Sequence, residues 1–131
     1  MTTYTLQDQL LELVQGDDYK LADSRAIVLA ARGVTWPAAL TSVKIVIYEA
    51  QAACAAGVAA VAPSAVVDVD GIFTAGTASV PATASFDLPR LQTLKLSVGV
   101  RRYLFEVRGL LPSGSVTSLA RGLVSVLASG F

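Results

Sequence analysis

The sequence predicts a single-domain, all-β protein built mainly from antiparallel strands. The 131 residues are enough for one domain, and two domains of half this length would have poor cores. Short apolar runs, several of which alternate between two faces, are separated by turn signals about every 10 residues. This combination is typical of a β-sandwich or a β-barrel.

The N-terminal part contains one segment whose type the pattern leaves open. Residues 6–14 carry leucines at helical spacing, but the segment is short and stops at the turn signal Gly16-Asp17-Asp18, so a strand and a two-turn helix both fit. A short strand, Tyr19–Leu21, and a compact apolar strand, Ala26–Ala30, are predicted next. The alternating run Val43–Tyr48 is predicted as a strand with two distinct faces.

Residues 49–81 are predicted to be an irregular, alanine-rich insertion with short strands. Gly57 and Pro63 limit any helix within it to short pieces. Val66–Val69 is predicted as a short strand closed by a turn at Asp70-Gly71, across which Ile72–Thr74 would form a hairpin. Ala50–Pro63 has too little charge for a solvated loop and too few bulky side chains for a core of its own. We therefore expect it to contact a neighbouring subunit.

The C-terminal third predicts a strand over Ala82–Leu88 and then a long antiparallel hairpin. Tyr103, Phe105 and Val107 alternate with residues of the opposite face, so we expect these three side chains to be buried together. Pro112–Ser115 provides the turn. Val116–Val126 is the returning strand, with Gly122 as the candidate β-bulge.

The residue inventory excludes most catalytic and metal chemistry. The chain has no histidine and one cysteine, which rules out a Ser-His-Asp triad, a Cys-His pair and a zinc ribbon. Cys54, among alanines, is interpreted as a small apolar residue. Asp68-x-Asp70 begins like a calcium loop, but Ile72 and Ser79 occupy later ligand positions. We expect no enzyme activity, no cofactor and no metal, and assign no catalytic or binding residues.

The composition points to protein contacts. Apolar residues make up 53% and charged residues 15% of the chain, and the 10 acidic and 10 basic residues cancel. A surface so poor in charge favours association, so we expect a homo-oligomer within a larger assembly. There is no basic excess for nucleic acid, and the alanine-rich stretch around Pro63 is too weakly apolar to enter a membrane. The N-terminus does not resemble a signal peptide, and Trp36 is interpreted as a core or edge plug.

Two stretches resemble small β-sandwich domains of tailed-bacteriophage virion proteins, such as the N-terminal domains of baseplate upper proteins. The first resembles the start of these domains and the second resembles their closing hairpin. The first comprises Gly16–Leu21, Arg32–Pro37, Leu40 and Val43–Ile47; the second comprises Thr93–Leu96, Gly99, Tyr103–Arg108, Ser113–Leu119 and Gly122–Val126. Residues 49–81 depart from the pattern.

The resemblance, taken with the strand pattern, leads to an Ig-like antiparallel β-sandwich of about seven strands. The implied function is structural: a virion protein that docks by protein–protein contacts in the head shell, as decoration, or in the neck, tail or baseplate. Such a protein would be made in the host cytoplasm and end in the virion. The alternative from another class is a carbohydrate- or surface-binding adhesion module, which would need exposed aromatic side chains on its loops.

Overall fold

A computed structural model of the chain describes residues 2–5, 10–31, 36–49 and 65–128. These residues contain eight strands, one 3-10 turn at Leu21–Asp23 and one short helix, α1, at Arg90–Thr93. The strands are β1 (Thr2–Thr5), β2 (Leu10–Val14), β3 (Ile27–Ala30), β4 (Ser42–Glu49), β5 (Val67–Thr74), β6 (Thr83–Phe86), β7 (Gly99–Leu110) and β8 (Val116–Leu127).

The eight strands form one sheet in the order β1-β3-β6-β5-β4-β7-β8-β2, which curls around a single core. The prediction of an all-β fold is therefore confirmed. The expectation of antiparallel pairing holds for the inner strands but is wrong at the two edges, where β1 runs parallel to β3 and β2 runs parallel to β8. The finer prediction of an Ig-like sandwich stays a prediction, since the described strands are hydrogen-bonded in one continuous order.

Strand β5 is the corner of this sheet. Its first part, Val67–Gly71, pairs with β4, and its second part, Ile72–Thr74, pairs with β6. The predicted turn at Asp70-Gly71 is therefore wrong, because β5 continues through both residues without reversing its direction. Gly71 serves a close approach instead: a β-carbon there would lie 2.4 Å from the Phe86 ring and 2.6 Å from the Ser85 carbonyl oxygen.

One face of the curled sheet supplies the core. Tyr103, Phe105 and Val107 are all buried, which confirms the predicted face of the closing hairpin. The largest fully buried side chains around them come from five other strands and from the segments beside α1: Leu11, Leu13, Ile27, Leu29, Val43, Ile45, Ile47, Val67, Phe86, Leu88, Leu96. A shared core across all these strands explains why the sheet has to curl rather than lie flat.

Three local predictions are changed by the structure. The ambiguous N-terminal segment contains a strand, β2, while residues 6–9 lie outside the described ranges. The predicted strand Tyr19–Leu21 is wrong: Tyr19 makes a single bridge to Leu88, and the chain then enters the 3-10 turn. The Asp87 carboxylate accepts the backbone N–H of Leu21 at 2.9 Å, which holds that turn against the sheet.

The bulge in the closing hairpin also differs from the prediction. Gly122 pairs regularly with Phe105. The described pairing has two irregularities, one between Gly99 and Tyr103 on β7 and one at Leu119 on β8, between the Val107–Ala120 and Arg108–Ser118 pairs. The extra residue places Leu119 in the core, where it is 6% exposed, so burial of a leucine decides the position of the bulge.

The predicted insertion, residues 49–81, contains one continuous strand where two short strands were expected. Strand β5 covers eight residues of the segment 49–81, and residues 75–81 follow it without regular structure. The predicted contact segment Ala50–Pro63, including Cys54, lies outside the described residues.

Candidate interaction surface

The outward face of the β5-β4-β7-β8 part of the sheet combines charged and exposed apolar side chains. Strand alternation turns every second residue away from the core. The pairing register then aligns these outward residues in rows that cross the strands. Three such rows lie one after another, beginning at the turn between β7 and β8.

The first row is apolar and exposed. Ser42 pairs with Leu110, and Leu110 pairs with Val116. Ile72 lies one residue beyond the Gly71–Val43 pair, on the same side of the sheet. Ile72 is 64% exposed, Val116 65% and Leu110 38%. Exposed branched aliphatic side chains grouped on one face of a sheet are typical of a contact surface.

The second row is charged. Lys44 is the middle residue, paired with Asp70 on β5 and with Arg108 on β7. The Lys44 ammonium group does not bridge to Asp70 but to the carboxylate of Asp68, at 3.2 and 3.3 Å. Asp70 is exposed, and within the described residues its carboxylate has neither a hydrogen bond nor an ion pair. This carboxylate is therefore open to a cation.

The third row contains a buried carboxylate. Glu106 is 6% exposed and lies opposite Val46, which is also buried. Arg108 Nε donates a hydrogen bond to one oxygen of Glu106, while Ser118 Oγ at 3.0 Å and Arg121 Nε at 3.2 Å contact the other. Burial raises the pKa of the Glu106 carboxyl, but the hydrogen bonds and the two arginine charges together hold this pKa below its ordinary value.

Sequence reasoning missed that Glu106 is buried and bonded to three side chains. Its place on the face opposite Phe105 indicated a solvated side chain. The available signal was the spacing Glu106–Arg108, which places opposite charges two residues apart on one face of a strand. Arg121, the third charge, is found only once the hairpin register is known, because the bulge at Leu119 shifts it opposite Glu106.

A shallow depression lies between the first two rows. Its volume is about 230 Å³, and it is lined by main-chain and side-chain atoms of Ser42, Lys44, Asp70, Arg108, Leu110 and Val116, among others. Pockets for small molecules are usually about 300–1,000 Å³ and more enclosed. The depression therefore suits one or two side chains from a protein partner better than a small ligand.

The turn after β2 carries a second cluster of charges, and its described contacts are structural. The Asp17 carboxylate bonds Arg25 Nη2 at 3.1 Å, and the Arg25 guanidinium stacks over the Tyr19 ring at 4.8 Å. The Asp18 carboxylate accepts the backbone N–H of Arg90, at the start of α1, at 2.7 Å. Asp18 thus bonds a backbone amide distant in the sequence, and this bond fastens the turn to α1.

The remaining candidates do not assemble a reactive centre. In the described ranges, no three carboxylate, histidine or cysteine side chains come together to hold a metal ion. The same part of the chain contains no helix long and apolar enough to cross a membrane. Trp36 is 6% exposed and belongs to the core, as predicted for a plug. Cys54 lies outside the described residues.

No family model matches the chain, and neither a curated protein nor a solved structure does.

Proposed function

We propose that the chain is a structural protein of a tailed-bacteriophage virion, docking by protein–protein contacts in the head shell, neck, tail or baseplate. The observation that carries the docking role is the exposed aliphatic row Ile72, Leu110 and Val116 beside the charged row around Lys44. An apolar strip with a polar border is the usual anatomy of a protein interface. The virion setting is supported by the resemblance of the two stretches described above.

Rigid support beneath the surface favours the docking role. Strands β7 and β8 are each 12 residues long, and β4 pairs with β7 along its whole length. A surface built on paired strands keeps its side chains in place when a partner binds, so little conformational entropy is lost. Many symmetric copies, each contributing a modest interface, would give stable assembly.

An Ig-like sandwich remains our proposal for the fold. Its support is the change of partner within β5, since strands that pass from one sheet to another form the corners of sandwiches. On this interpretation, β1-β3-β6 and β4-β7-β8-β2 are the two layers, and the single core lies between them.

The adhesion alternative has less support. Sugar-binding modules present exposed aromatic rings, but every large hydrophobic side chain exposed in the described part of the chain is aliphatic. Trp36, the only tryptophan, is buried. We therefore do not propose a carbohydrate site.

Particle composition tests the proposal. Phage particles from a host that expresses the tagged chain would be purified by density-gradient centrifugation, and the chain would be quantified by mass spectrometry and located by immunogold labelling. We expect a fixed ratio of the chain to the major capsid or tail protein, and a clear loss of incorporation for Val116→Asp. The control is Leu91→Asp, which changes a residue that is 77% exposed but lies on α1. A chain confined to the particle-free lysate would contradict the proposal.

A further inference from the structure

We propose that the outward face around β4 docks onto the same face of a second copy of this chain, with the two-fold axis running along β4. The inference deepens the proposed assembly function, on which it rests, by naming the partner of the surface. Its basis is the arrangement of charged and apolar residues on the neighbouring strands β5, β4 and β7.

At Lys44 the two sides of β4 carry opposite charges. Lys44 pairs with Asp70 on one side and with Arg108 on the other. In the apolar row, Ser42 pairs with Leu110 on the β7 side. Ile72 follows the last β4–β5 pair, Val43–Gly71, at the point where β5 begins to pair with β6.

A two-fold axis along β4, midway between two stacked faces, exchanges the β5 side of one copy with the β7 side of the other. Asp70 of each copy then faces Arg108 of the second copy, and Ile72 of each lies on the same side as Leu110 of the second. Ser42 faces its own counterpart on the axis. The contact is isologous, since one patch serves both copies, and it repeats the Asp70–Arg108 pair twice.

In the next row the axis brings Asp68 of each copy opposite Glu106 of the other. Both carboxylates are already paired within their own copy, Asp68 with Lys44 and Glu106 with Arg108 and Arg121.

The described contacts leave the required groups available. Arg108 uses Nε toward Glu106, and a guanidinium group has further N–H donors for a second carboxylate. Asp70 has no partner of its own in the described part of the chain. The two Lys44 side chains meet near the axis, but each is already neutralised by Asp68 of its own copy, at 3.2 Å.

Charge complementarity therefore favours a second copy over an unrelated acidic or basic partner. A strongly charged partner would meet an opposite charge on one side of β4 and a like charge on the other. Since the patch is small and its ion pairs are exposed, we expect a weak dimer in dilute solution that becomes effective when copies are arrayed.

Cross-linking on the two-fold axis tests the contact directly. In the background Cys54→Ala, the variant Ser42→Cys would be treated with a short bis-maleimide at rising protein concentrations, and the covalent dimer would be quantified. The matched control is Ser97→Cys, an exposed residue just before β7, at its opposite end. We expect rapid dimer cross-linking through position 42 only. Equal, slow cross-linking of both variants would overturn the proposal.

Charge reversal provides the second arm, in the Ser42→Cys background. Asp70→Arg and Arg108→Glu should each reduce cross-linking by about tenfold or more, because each creates two like-charge contacts in the homodimer. Mixing the two variants should restore it, since the mixed dimer has one native and one reversed ion pair. Circular dichroism and thermal melting show whether each variant is folded, which matters most for Arg108→Glu because Arg108 donates a hydrogen bond to the buried Glu106. Asp70→Arg changes an exposed residue without a described partner and tests the contact by itself. Reversed variants that cross-link like the parent, or a mixture that fails to recover, would overturn the two-fold contact.

These measurements use the isolated chain, so they separate the contact from the virion role. A chain that enters particles but does not cross-link through position 42 contradicts the two-fold contact alone. A chain that cross-links as expected but is absent from particles supports the contact and contradicts the virion role.

Discussion

Gly71 and Phe86 approach each other so closely that a β-carbon on Gly71 would lie 2.4 Å from two carbons of the Phe86 ring. The approach occurs where β5 leaves β4 and joins β6. We expect Gly71→Ala to lower the free energy of unfolding by about 1–3 kcal/mol, because the buried ring cannot move away without disturbing the core. Urea denaturation monitored by circular dichroism measures the change.

The matched control for Gly71→Ala is Thr74→Ala, an exposed position on the same strand. It should change stability by less than about 0.5 kcal/mol. The double variant Gly71→Ala, Phe86→Leu should lose less stability than the sum of the two single changes, since a smaller side chain makes room for the added methyl group. Strict additivity would show that the ring is not the source of the cost.

Phe105→Ala should destabilise the fold by about 3–5 kcal/mol, because Phe105 is 4% exposed in the tightly paired β7 and its removal leaves a cavity. Phe105→Leu should cost less. Leu91→Ala, at a position 77% exposed, serves as the surface control. Equal unfolding midpoints for Phe105→Ala and Leu91→Ala would contradict this account of the core.

Glu106 should make the stability depend on pH in the acid range. Its folded pKa lies below its ordinary value, so the unfolded chain binds the proton more readily. The contribution of Glu106 is therefore fully present above the unfolded pKa of about 4.3 and is lost as the pH falls through the folded pKa. Urea midpoints measured from pH 6 down to pH 3 should fall less steeply for Glu106→Gln than for the parent chain.

An exposed carboxylate controls for general acid effects. Glu49 lies 3.7 Å from Arg102, and the side chains of both residues are about half exposed. Glu49→Gln should change the free energy of unfolding by less than about 1 kcal/mol, because exposed ion pairs contribute little. An equal flattening by Glu49→Gln and Glu106→Gln would show that the buried position of Glu106 has no special effect.

Deleting Ala52–Ala62 should leave a folded protein that enters particles poorly. The flanking strands are direct antiparallel neighbours, with Ile47 paired to Val67 and the Ile47 carbonyl accepting the Val66 N–H at 2.7 Å. A short connection can therefore join them. Thermal melting and particle incorporation test the two halves of the prediction. An unfolded variant would assign the segment to the core, and normal incorporation would remove it from the interface.

The strands that the sequence predicted well are those whose pattern is local. The run Val43–Tyr48 indicates a strand with two distinct faces. The alternation of Tyr103, Phe105 and Val107 indicates both a strand and its buried face. Trp36 is interpreted from the sequence as a core or edge plug, and the structure places it in the core.

The parts that escaped prediction depend on distant residues. Asp70-Gly71 carries a turn signal, and only the Phe86 ring shows that its glycine serves packing. The bulge at Leu119 depends on which side chain fits the core, and the burial of Glu106 depends on Arg121 across the hairpin. The self-complementary order of Asp70, Lys44 and Arg108 likewise exists only after three strands have paired.

The parallel pairing of β2 with β8 has a consequence during synthesis on the ribosome. Leu10 pairs with Leu123, so β2 is made early and waits until nearly all of the described chain has emerged before its neighbour in the sheet exists. At about 5–20 residues per second, the wait is on the order of 10 seconds. Throughout that time Leu11 and Leu13, which end up fully buried, have no completed core to enter. The nascent chain therefore carries an unpaired apolar strand that a chaperone could hold.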